Sequence, residues 1–537
     1  MKRKLCLLMA SVVLTVSLAA CGGASNTTTG SGTSAAGSDS GTTATTEKKD
    51  AKLSILTYSQ STAEYSEEMP VLAEIAKRTG IKLEWQNLPV GAEQEKLDLT
   101  FASGNLPDIL LWTVKDYVDN LGQKGALIPL EQLVDQYSPN IKAEFSKLDT
   151  EIKGFRNKVT ASDGHIYTIP AIIPDGYNAG EVFAIRQDWL DNVGMQMPVT
   201  TDDFYNVLKA FKEKDPNKNG EADEIPLIMR AADYYLEILA MNPFGVTSDI
   251  FWDETQQKVR FSCVEPEFKQ GLEFLHKLYA EKLLDNEYIT NTDDQWLAKM
   301  SNNQAGVMYG WPGGHIGVAH DALMKLDPSF NLVPMLPLTG PNGSQFKQDG
   351  QSRVSYRGSI TKSCKDIESA MKLFDFMYSA EGQELDGWGI EGKTYVKLPD
   401  GSKQFLDYVI RNADGLPAGT VTLNYGISGP LPWVYEPDAL KAQATPFVKK
   451  INELYMSKPN LIKEAFSATF TKDENDKLGK LGNDMFSNYV TPMISKFITG
   501  KEPLSKWDEY VSKAKSLGAD EFTTIYDTAY NRTYNIK

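Results

Sequence analysis

The chain has 537 residues, and its 71 acidic residues outnumber its 55 Lys and Arg residues, which gives a formal net charge of −16. The acidic excess is spread along the sequence and excludes nucleic acid as the main partner, because nucleic-acid binding needs basic stripes. The length is sufficient for two or three lobes, each with a hydrophobic core of its own.

The N-terminus has the pattern of an export signal. Residues 2–4 are basic, and the apolar run at 5–18 is short for a membrane span, which needs about 20 residues. Ala19-Ala20-Cys21 resembles a lipobox, which predicts a signal peptide at 1–20 and a diacylated Cys21. The mature chain is then expected at the extracellular face of the cell membrane, held there by lipid alone. An ordinary secreted signal peptide is the alternative.

Residues 21–50 are mostly Gly, Ser, Thr and Ala, which predicts a flexible tether, because such a segment buries too little surface to fold. No later apolar stretch is long enough to cross a bilayer. Beyond the tether the cysteines are Cys263 and Cys364. One disulfide is possible, and two small buried hydrophobic side chains are the alternative.

The first globular stretch alternates short apolar runs with amphipathic segments. The predicted strands are 53–58, 81–85 and 109–112, and the predicted helices between them are 67–79 and 93–102. Gly80 stands where a helix commonly ends in a left-handed residue. Strands that alternate with helices predict an α/β fold with a mostly parallel sheet.

A second unit of similar style follows. Strands are predicted at 182–185 and 305–309, and helices at 187–193, 267–284 and 367–378. Thr200 or Thr201 is expected to cap a further helix. The last hundred residues are predicted to be mainly helical.

The order of these features resembles the extracellular solute-binding lipoproteins of ABC importers (family 1). The lipobox and tether precede a β-α-β-α-β unit that ends in Ser-Gly-Asn-Leu-Pro-Asp-Ile at 103–109. Arg-Gln-Asp-Trp-Leu at 186–190 is similar to the second lobe of the large oligosaccharide-binding members, which include alginate-binding proteins.

The resemblance implies a two-lobed periplasmic-binding-protein type II fold with hinge strands that cross between the lobes. The expected lobes are 51–168 plus 336–394 and 169–335 plus 395–537. The crossings are expected near 167–171, 331–337 and 395.

The function that the resemblance implies is capture of an oligosaccharide between the lobes and its delivery to ABC permease subunits. The chain is expected to be a monomer and not an enzyme, because a separate ATPase supplies the energy. The alternatives are a binding protein of the same fold for peptides or another solute, a surface-anchored glycan-degrading enzyme, and a calcium-dependent adhesin.

The loop at 215–224 predicts a cation site. Its oxygen-bearing side chains and its glycine match the first nine positions of an EF-hand loop, whereas Pro226 stands where the twelfth position needs a bidentate Glu. Alginate-binding relatives use a similar loop for calcium. The site is predicted to be structural, with the Glu221 carbonyl among the ligands; an ordinary polar turn is the alternative. The predicted ligands are Asp215, Asn217, Asn219, Glu221, Asp223 and Glu224.

Aromatic side chains at strand ends and in Gly/Pro loops are the candidates for sugar contact, because sugar C–H faces stack on aromatic rings. Core packing is the alternative for each of them. The candidates are Tyr58, Trp112, Tyr177, Trp311, Trp388, Tyr395 and Trp433. Arg353 and Arg357 are candidates for a sugar carboxylate, and a solvated or ion-paired strand face is the alternative.

The segment 387–394 matches the Walker A pattern, but a helix precedes it and a strand follows it, which is the reverse of a P-loop. A nucleotide site is therefore not expected. Four histidines and the lack of a nucleophile motif likewise give no support for catalysis.

Overall fold

A computed structural model describes residues 51–59, 64–152, 154–173, 179–229, 238–247, 249–349, 353–410, 416, 418–464 and 466–534. The predicted signal peptide, Cys21, the tether and Tyr177 lie outside these residues. Residues 50–537 form one contact unit. No helix in the described ranges is long and apolar enough to span a membrane.

The described residues contain two larger sheets and three two-stranded ones, with helices packed on their faces. The strands are β1 Ala51–Tyr58, β2 Ile81–Leu88, β3 Ile109–Leu111, β4 Ile169–Ile172, β5 Val182–Arg186, β6 Ile225–Ile228, β7 Ile250–Asp253, β8 Lys258–Phe261, β9 Ala305–Gly310, β10 Leu332–Pro334, β11 Lys347–Asp349, β12 Val354–Ile360, β13 Tyr395–Lys397, β14 Lys403–Phe405 and β15 Ile462–Glu464.

The helices are α1 Pro70–Thr79, α2 Glu93–Ser103, α3 Lys115–Gln123, α4 Glu131–Tyr137, α5 Pro139–Glu151, α6 Phe155–Val159, α7 Gln187–Val193, α8 Thr201–Glu213, α9 Pro266–Ala280, α10 Asp293–Ser301, α11 Gly317–Leu326, α12 Ile367–Tyr378, α13 Ala380–Trp388, α14 Asp407–Ile410, α15 Ala418–Asn424, α16 Pro437–Gln443, α17 Pro446–Met456, α18 Lys472–Leu481, α19 Thr491–Thr499, α20 Trp507–Ser516 and α21 Ala519–Tyr534. Short π-helical segments lie at Pro312–Ile316 and Gly482–Val490.

The first sheet has the strand order β2-β1-β3-β12-β4. β1 is parallel to β2 and β3, as predicted, and β12 is antiparallel to both of its neighbours. Gly80 ends α1 with a φ of 67°. That helix begins at Pro70 rather than at residue 67, because proline is favoured at the first helical position and resists placement further inside.

The second sheet has the order β10-β5-β9-β6, with β6 parallel to β9 and β5 antiparallel to it. Thr200 caps α8, and its side chain and that of Asp203 form a reciprocal capping box. Gly194 ends α7 with a φ of 69°. The α/β fold class predicted from the sequence is therefore confirmed.

The two sheets have separate cores, and the cores divide the chain differently from the predicted lobes. Residues 395–439 contribute Tyr395, Trp433 and Ala439 to the core of the first sheet, whereas they were expected in the second lobe. Strand β4, which was expected in the second lobe, belongs to the first sheet. Strand β10, Leu332–Pro334, pairs within the second sheet, whereas a crossing was expected near 331–337. The successive core residues that pack with different sheets are therefore Ile172 and Ala179, Leu338 and Val354, and Ala439 and Phe447.

Cys263 and Cys364 are buried, and neither forms a disulfide within the described part of the chain. Cys263 lies in the core of the second sheet and Cys364 in that of the first. Because each cysteine packs in a different core, no disulfide joins them, and they act as small hydrophobic side chains.

Candidate functional site

Several of the predicted ligand-contacting side chains meet where the first sheet ends. β1 ends at Tyr58, and β3 is followed directly by Trp112, whose main-chain N–H donates to the Arg357 carbonyl at 3.0 Å. The register of β12 against β4 shifts between Tyr356 and Gly358, so Arg357 occupies a β-bulge. Bulges redirect side chains and are common beside binding sites. The bulge thus places Arg357 at the carboxyl edge of β1 and β3.

Arg357 is the centre of this cluster. Its Nη1 donates to the Tyr58 hydroxyl, and its guanidinium lies 5.7 Å from the ring centre of Trp433. Its Nε is buried and has no hydrogen-bond partner among the described residues. The indole Nε1 of Trp112 is likewise buried and unpartnered there. Two N–H donors at one sheet edge therefore lack acceptors, and an unmet buried donor is costly.

Asp386 lies behind this cluster and is buried. Burial raises the pKa of its carboxyl to about 7, although the Gly429 N–H, at 3.1 Å, and the charge of Arg357 both favour the ionised form. Burial also raises the pKa of Tyr435 to about 12, and the negative charge of Asp386 adds to that shift. The Arg357 cation therefore faces a carboxyl group that is partly protonated near neutral pH.

The raised pKa of Asp386 predicts a pH dependence of stability. Between about pH 4 and 7 the folded state holds a proton that the unfolded chain has released, so the free energy of unfolding falls as the pH rises through this window. The difference between the usual pKa of 3.8 and a value of about 7 corresponds to about 4 kcal/mol. Asp386→Asn is expected to remove that fall, which urea unfolding of both proteins at pH 5, 6, 7 and 8 would measure. Parallel profiles would contradict this assignment.

The last helix, α21, lies close enough to this edge for its Tyr526 to interact electrostatically with Asp116. Burial, together with the negative charges of Asp116 and Asp249, raises the pKa of Tyr526 to about 12. Asp116 follows β3 and is solvent-exposed, yet surrounding protein raises the pKa of its carboxyl by desolvation. We call the space between Tyr58, Trp112, Asp116 and Arg357 on one side and Tyr526 on the other the cleft.

Aromatic rings continue along α21. Tyr530 stacks on Trp252 at 4.5 Å between ring centres, with an angle of 18° between the planes, and lies 4.5 Å from Tyr534. The Asn157 side chain of α6 donates to the carbonyl of Thr533. The helix therefore brings an aromatic surface from the second core to the first.

Trp311 lies at the corresponding edge of the second sheet. It follows β9 directly and is half-buried, and its carbonyl accepts the N–H of Ile316 at 3.2 Å. Gly317 is required at the start of α11, because a Cβ there would lie 2.1 Å from the carbonyl of Pro312. This tight turn holds Trp311 at the end of the strand.

The remaining aromatic candidates are packed in the first core. Trp388 is 2% exposed and stacks on Phe405 at 4.8 Å, and Tyr395 is also 2% exposed and donates to Glu384. These contacts place Trp388 and Tyr395 away from the cleft. The cause is the β13–β14 hairpin, whose Phe405 covers the indole.

Arg353 and the segment 387–394, which matches the Walker A pattern, are also engaged in contacts within the fold. Arg353 is 3.7 Å from Glu151, and its Nε donates to the Ile173 carbonyl at 3.4 Å. In the segment 387–394, Thr394 donates to the Trp388 carbonyl and accepts the Ile390 N–H. That segment is thus a closed turn, with no strand before it to form a P-loop.

The predicted cation loop is tightly wound. Asp215 accepts the N–H groups of Asn219 and Gly220, both at 3.1 Å, and the side-chain oxygen of Asn219 accepts the Glu221 N–H at 2.7 Å. Asp215 has a φ of 46° and Gly220 a φ of 82°. This arrangement turns the side-chain oxygens toward the inside of the loop.

The carboxylates of the loop lie close together. Asp223 accepts amide N–H groups from Asn217, Asn219 and Gln304, and these bonds lower its pKa despite some burial. Burial and the charges of Asp223 and Asp215 raise the pKa of Glu224, whose Oε1 is buried without a partner in the described part of the chain. No three Asp, Glu, His or Cys side chains in that part form a metal cluster, so a cation here would also need amide and main-chain oxygens.

Sequence reasoning did not identify Asp116, Asp386, Tyr435 or the rings of α21. In α21 a detectable signal was present, since Phe522, Tyr526, Tyr530 and Tyr534 recur every four residues. For Asp386 and Tyr435 no local pattern distinguishes these residues from others of their type.

Comparisons with known proteins identify the family of the chain. The chain matches the family described as bacterial extracellular solute-binding protein over residues 58–384. It is 28% identical, over 97% of both chains, to the fructooligosaccharide ABC transporter substrate-binding protein FusA of Streptococcus pneumoniae, and 28% identical to lipoprotein LipO of Bacillus subtilis over 63% of this chain and 66% of that one.

Solved structures of solute-binding proteins also resemble this chain. The alginate-binding protein AlgQ2 without calcium ion is 28% identical and has a TM-score of 0.75, with 90% of this chain and 99% of that chain covered. An EF-hand mutant of FusA in complex with fructo-nystose is 25% identical, with a TM-score of 0.73 over 90% of this chain and all of that one. The match covers more than half of the chain, and the family binds solutes rather than catalysing reactions. The chain therefore belongs to the bacterial extracellular solute-binding protein family.

Proposed function

We propose that the chain is the substrate-binding protein of an ABC importer and that it captures an oligosaccharide in the cleft. The ligand would be held between the edge of the first sheet and the surfaces contributed by the second core, and closure of the lobes would deliver it to permease subunits. The relatives named for oligosaccharides support this substrate class.

The observation that carries the proposal is the pair of unmet donors at the cleft. A sugar hydroxyl can accept from Trp112 Nε1 or Arg357 Nε, and it can donate to the Asp116 carboxylate. Tyr58 and Trp112 supply apolar ring surface beside these polar groups, a combination that suits a ligand with C–H faces and hydroxyls. Trp311 is the proposed contact from the second sheet.

Calcium is proposed as a structural ion in the loop at 215–224. The fit rests on the negative charges of Asp215 and Asp223 that act on Glu224 and on the unpartnered Oε1 of Glu224. Asn217, Asn219 and the Glu221 carbonyl are the proposed neutral ligands, which suits a hard cation that prefers oxygen. The ion would join the end of α8 to β6.

The chain is further proposed to be anchored through Cys21 to the extracellular face of the membrane, as a monomer behind a tether at 21–50. The lipobox pattern and the similarity to a lipoprotein support this location. The proposed lobes follow the two cores, with residues 51–173 and 354–439 in one and the remainder in the other.

A ligand panel tests the proposed function. The chain from Ala51 onward would be screened by thermal shift against neutral and uronic oligosaccharides, amino acids and short peptides in the presence of calcium. A glycan at a hundredfold excess over its Kd is expected to add about 2.7 kcal/mol, which raises the Tm by a few degrees. A rise in Tm with peptides alone would show that the chain binds a different class of solute. If no glycan raises the Tm, the proposed capture of an oligosaccharide is wrong.

A further inference from the structure

A pocket with no assigned ligand opens at the edge of the second sheet. The empty space between its lining residues is about 450 Å³ when open solvent at the mouth is counted, and about 30 Å³ of it can hold the centre of a water-sized molecule. Its floor includes Phe183 on β5 and Tyr309 on β9, whose ring centres are 4.6 Å apart, and Phe204 of α8. Met335 and Leu338 also line the pocket. The surface inside is almost entirely apolar.

The pocket lies where the chain crosses between the cores. Val182 pairs with Gly310, so the pocket opens at the carboxyl end of β9, the end that also carries Trp311. In open α/β sheets this end of the strands is where ligands bind. Lys347 lines the pocket and stands six residues before Arg353. Six residues span at most about 21 Å, so the pocket lies within reach of the first sheet's edge.

The lining combines an apolar interior with a few polar groups. Glu181, Asn242 and Lys347 line the pocket, as do the hydroxyl-bearing Tyr309 and Tyr455, whereas the other lining side chains are apolar. A free hydroxyl in the apolar interior would lose its hydrogen bonds to water. An acetamido group has the matching chemistry, because its methyl is apolar and its carbonyl and N–H are polar.

We propose that this pocket is a subsite for the acetamido group of an N-acetylated sugar. The proposal rests on the proposed function, since the group would belong to the glycan held in the cleft. It makes the pocket a determinant of specificity, because each methyl buried in an apolar pocket favours the ligand that carries it.

Matched sugar pairs test the proposal. Binding to the calcium-loaded chain from Ala51 onward would be measured by calorimetry for triacetylchitotriose against cellotriose, and for N-acetylated against unsubstituted glucose-, galactose- and mannose-based oligosaccharides. The members of each pair differ only in that acetamido groups replace hydroxyls, three of them in the triacetylchitotriose–cellotriose pair. At least one acetylated ligand is expected to bind about tenfold more tightly than its partner.

A variant that narrows the pocket distinguishes the pocket's contribution to ligand affinity from that of the rest of the cleft. Ile238 is half-buried at the pocket, and Ile238→Trp is expected to reduce the acetamido preference to less than threefold while the unsubstituted sugar binds as before. Leu297→Trp is the matched control, because Leu297 is 38% exposed on α10 and does not line the pocket. That control should keep the preference.

The outcomes distinguish the two proposals. Glycan binding with equal or weaker affinity for every acetylated partner would overturn the subsite and leave the proposed function standing. The acetamido subsite would also be overturned if the chain binds other glycans but neither member of any matched sugar pair. An acetamido preference that survives Ile238→Trp would place its cause outside this pocket, and an absence of all glycan binding would remove the proposed function itself.

Discussion

Arg357→Met is expected to weaken oligosaccharide binding by about a hundredfold. The substitution removes the guanidinium that holds the Tyr58 hydroxyl and that presents an unmet Nε donor at the cleft. A hydrogen bond to a charged group contributes about 1.5–3 kcal/mol, and each 1.4 kcal/mol is a tenfold change in Kd. Calorimetric titration with the best ligand from the panel would measure the loss.

Arg353→Met is the matched control for this variant. Arg353 lies just before the same strand, but its side chain is already engaged by Glu151 and the Ile173 carbonyl, so its replacement should change the Kd by less than threefold. Thermal unfolding of both variants checks that each is folded. Equal losses of affinity, or none from Arg357→Met, would show that the bulge does not present a ligand contact.

Removal of calcium is expected to produce the second large effect. Free calcium at a thousandfold excess over its Kd would stabilise the fold by about 4.1 kcal/mol, so a chelator should lower the Tm by several degrees. The reason is that the ion offsets repulsion among Asp215, Asp223 and Glu224. Scanning calorimetry with and without chelator would measure the change.

A pair of loop variants makes this test specific. Glu224→Gln should abolish the response to chelator, because Glu224 supplies the buried carboxylate oxygen that has no other partner in the described structure. Glu221→Gln should retain the response, since that exposed residue would contribute only its main-chain carbonyl. If the chelator leaves the wild-type Tm unchanged, the loop is an ordinary polar turn.

Much of the fold was predictable from local signals. Gly80 and Gly194 end their helices in left-handed conformations, and Thr200 caps α8, all as their residue types indicate. Each of these features depends on neighbours within four residues of the chain. The parallel β1–β3 unit was predictable for a similar reason, since the alternation of strands and helices is visible in the sequence.

The site was less predictable because it depends on what covers each side chain. Trp112 and Trp388 both occupy loop positions that suit a contact with a sugar. Phe405 of the β13–β14 hairpin covers Trp388, whereas Trp112 lies at the cleft. Arg353 and Arg357 are equivalent in the strand pattern. Only the bulge, which depends on the pairing of β12 with two partners distant in sequence, distinguishes them.

The central position of β12 limits the order in which the chain can fold. β4 contacts the first sheet through β12, which is synthesised some 180 residues later, so the edge that carries Arg357 stays incomplete until most of the chain has appeared. Such delayed, non-local pairing slows folding and leaves strand edges exposed meanwhile.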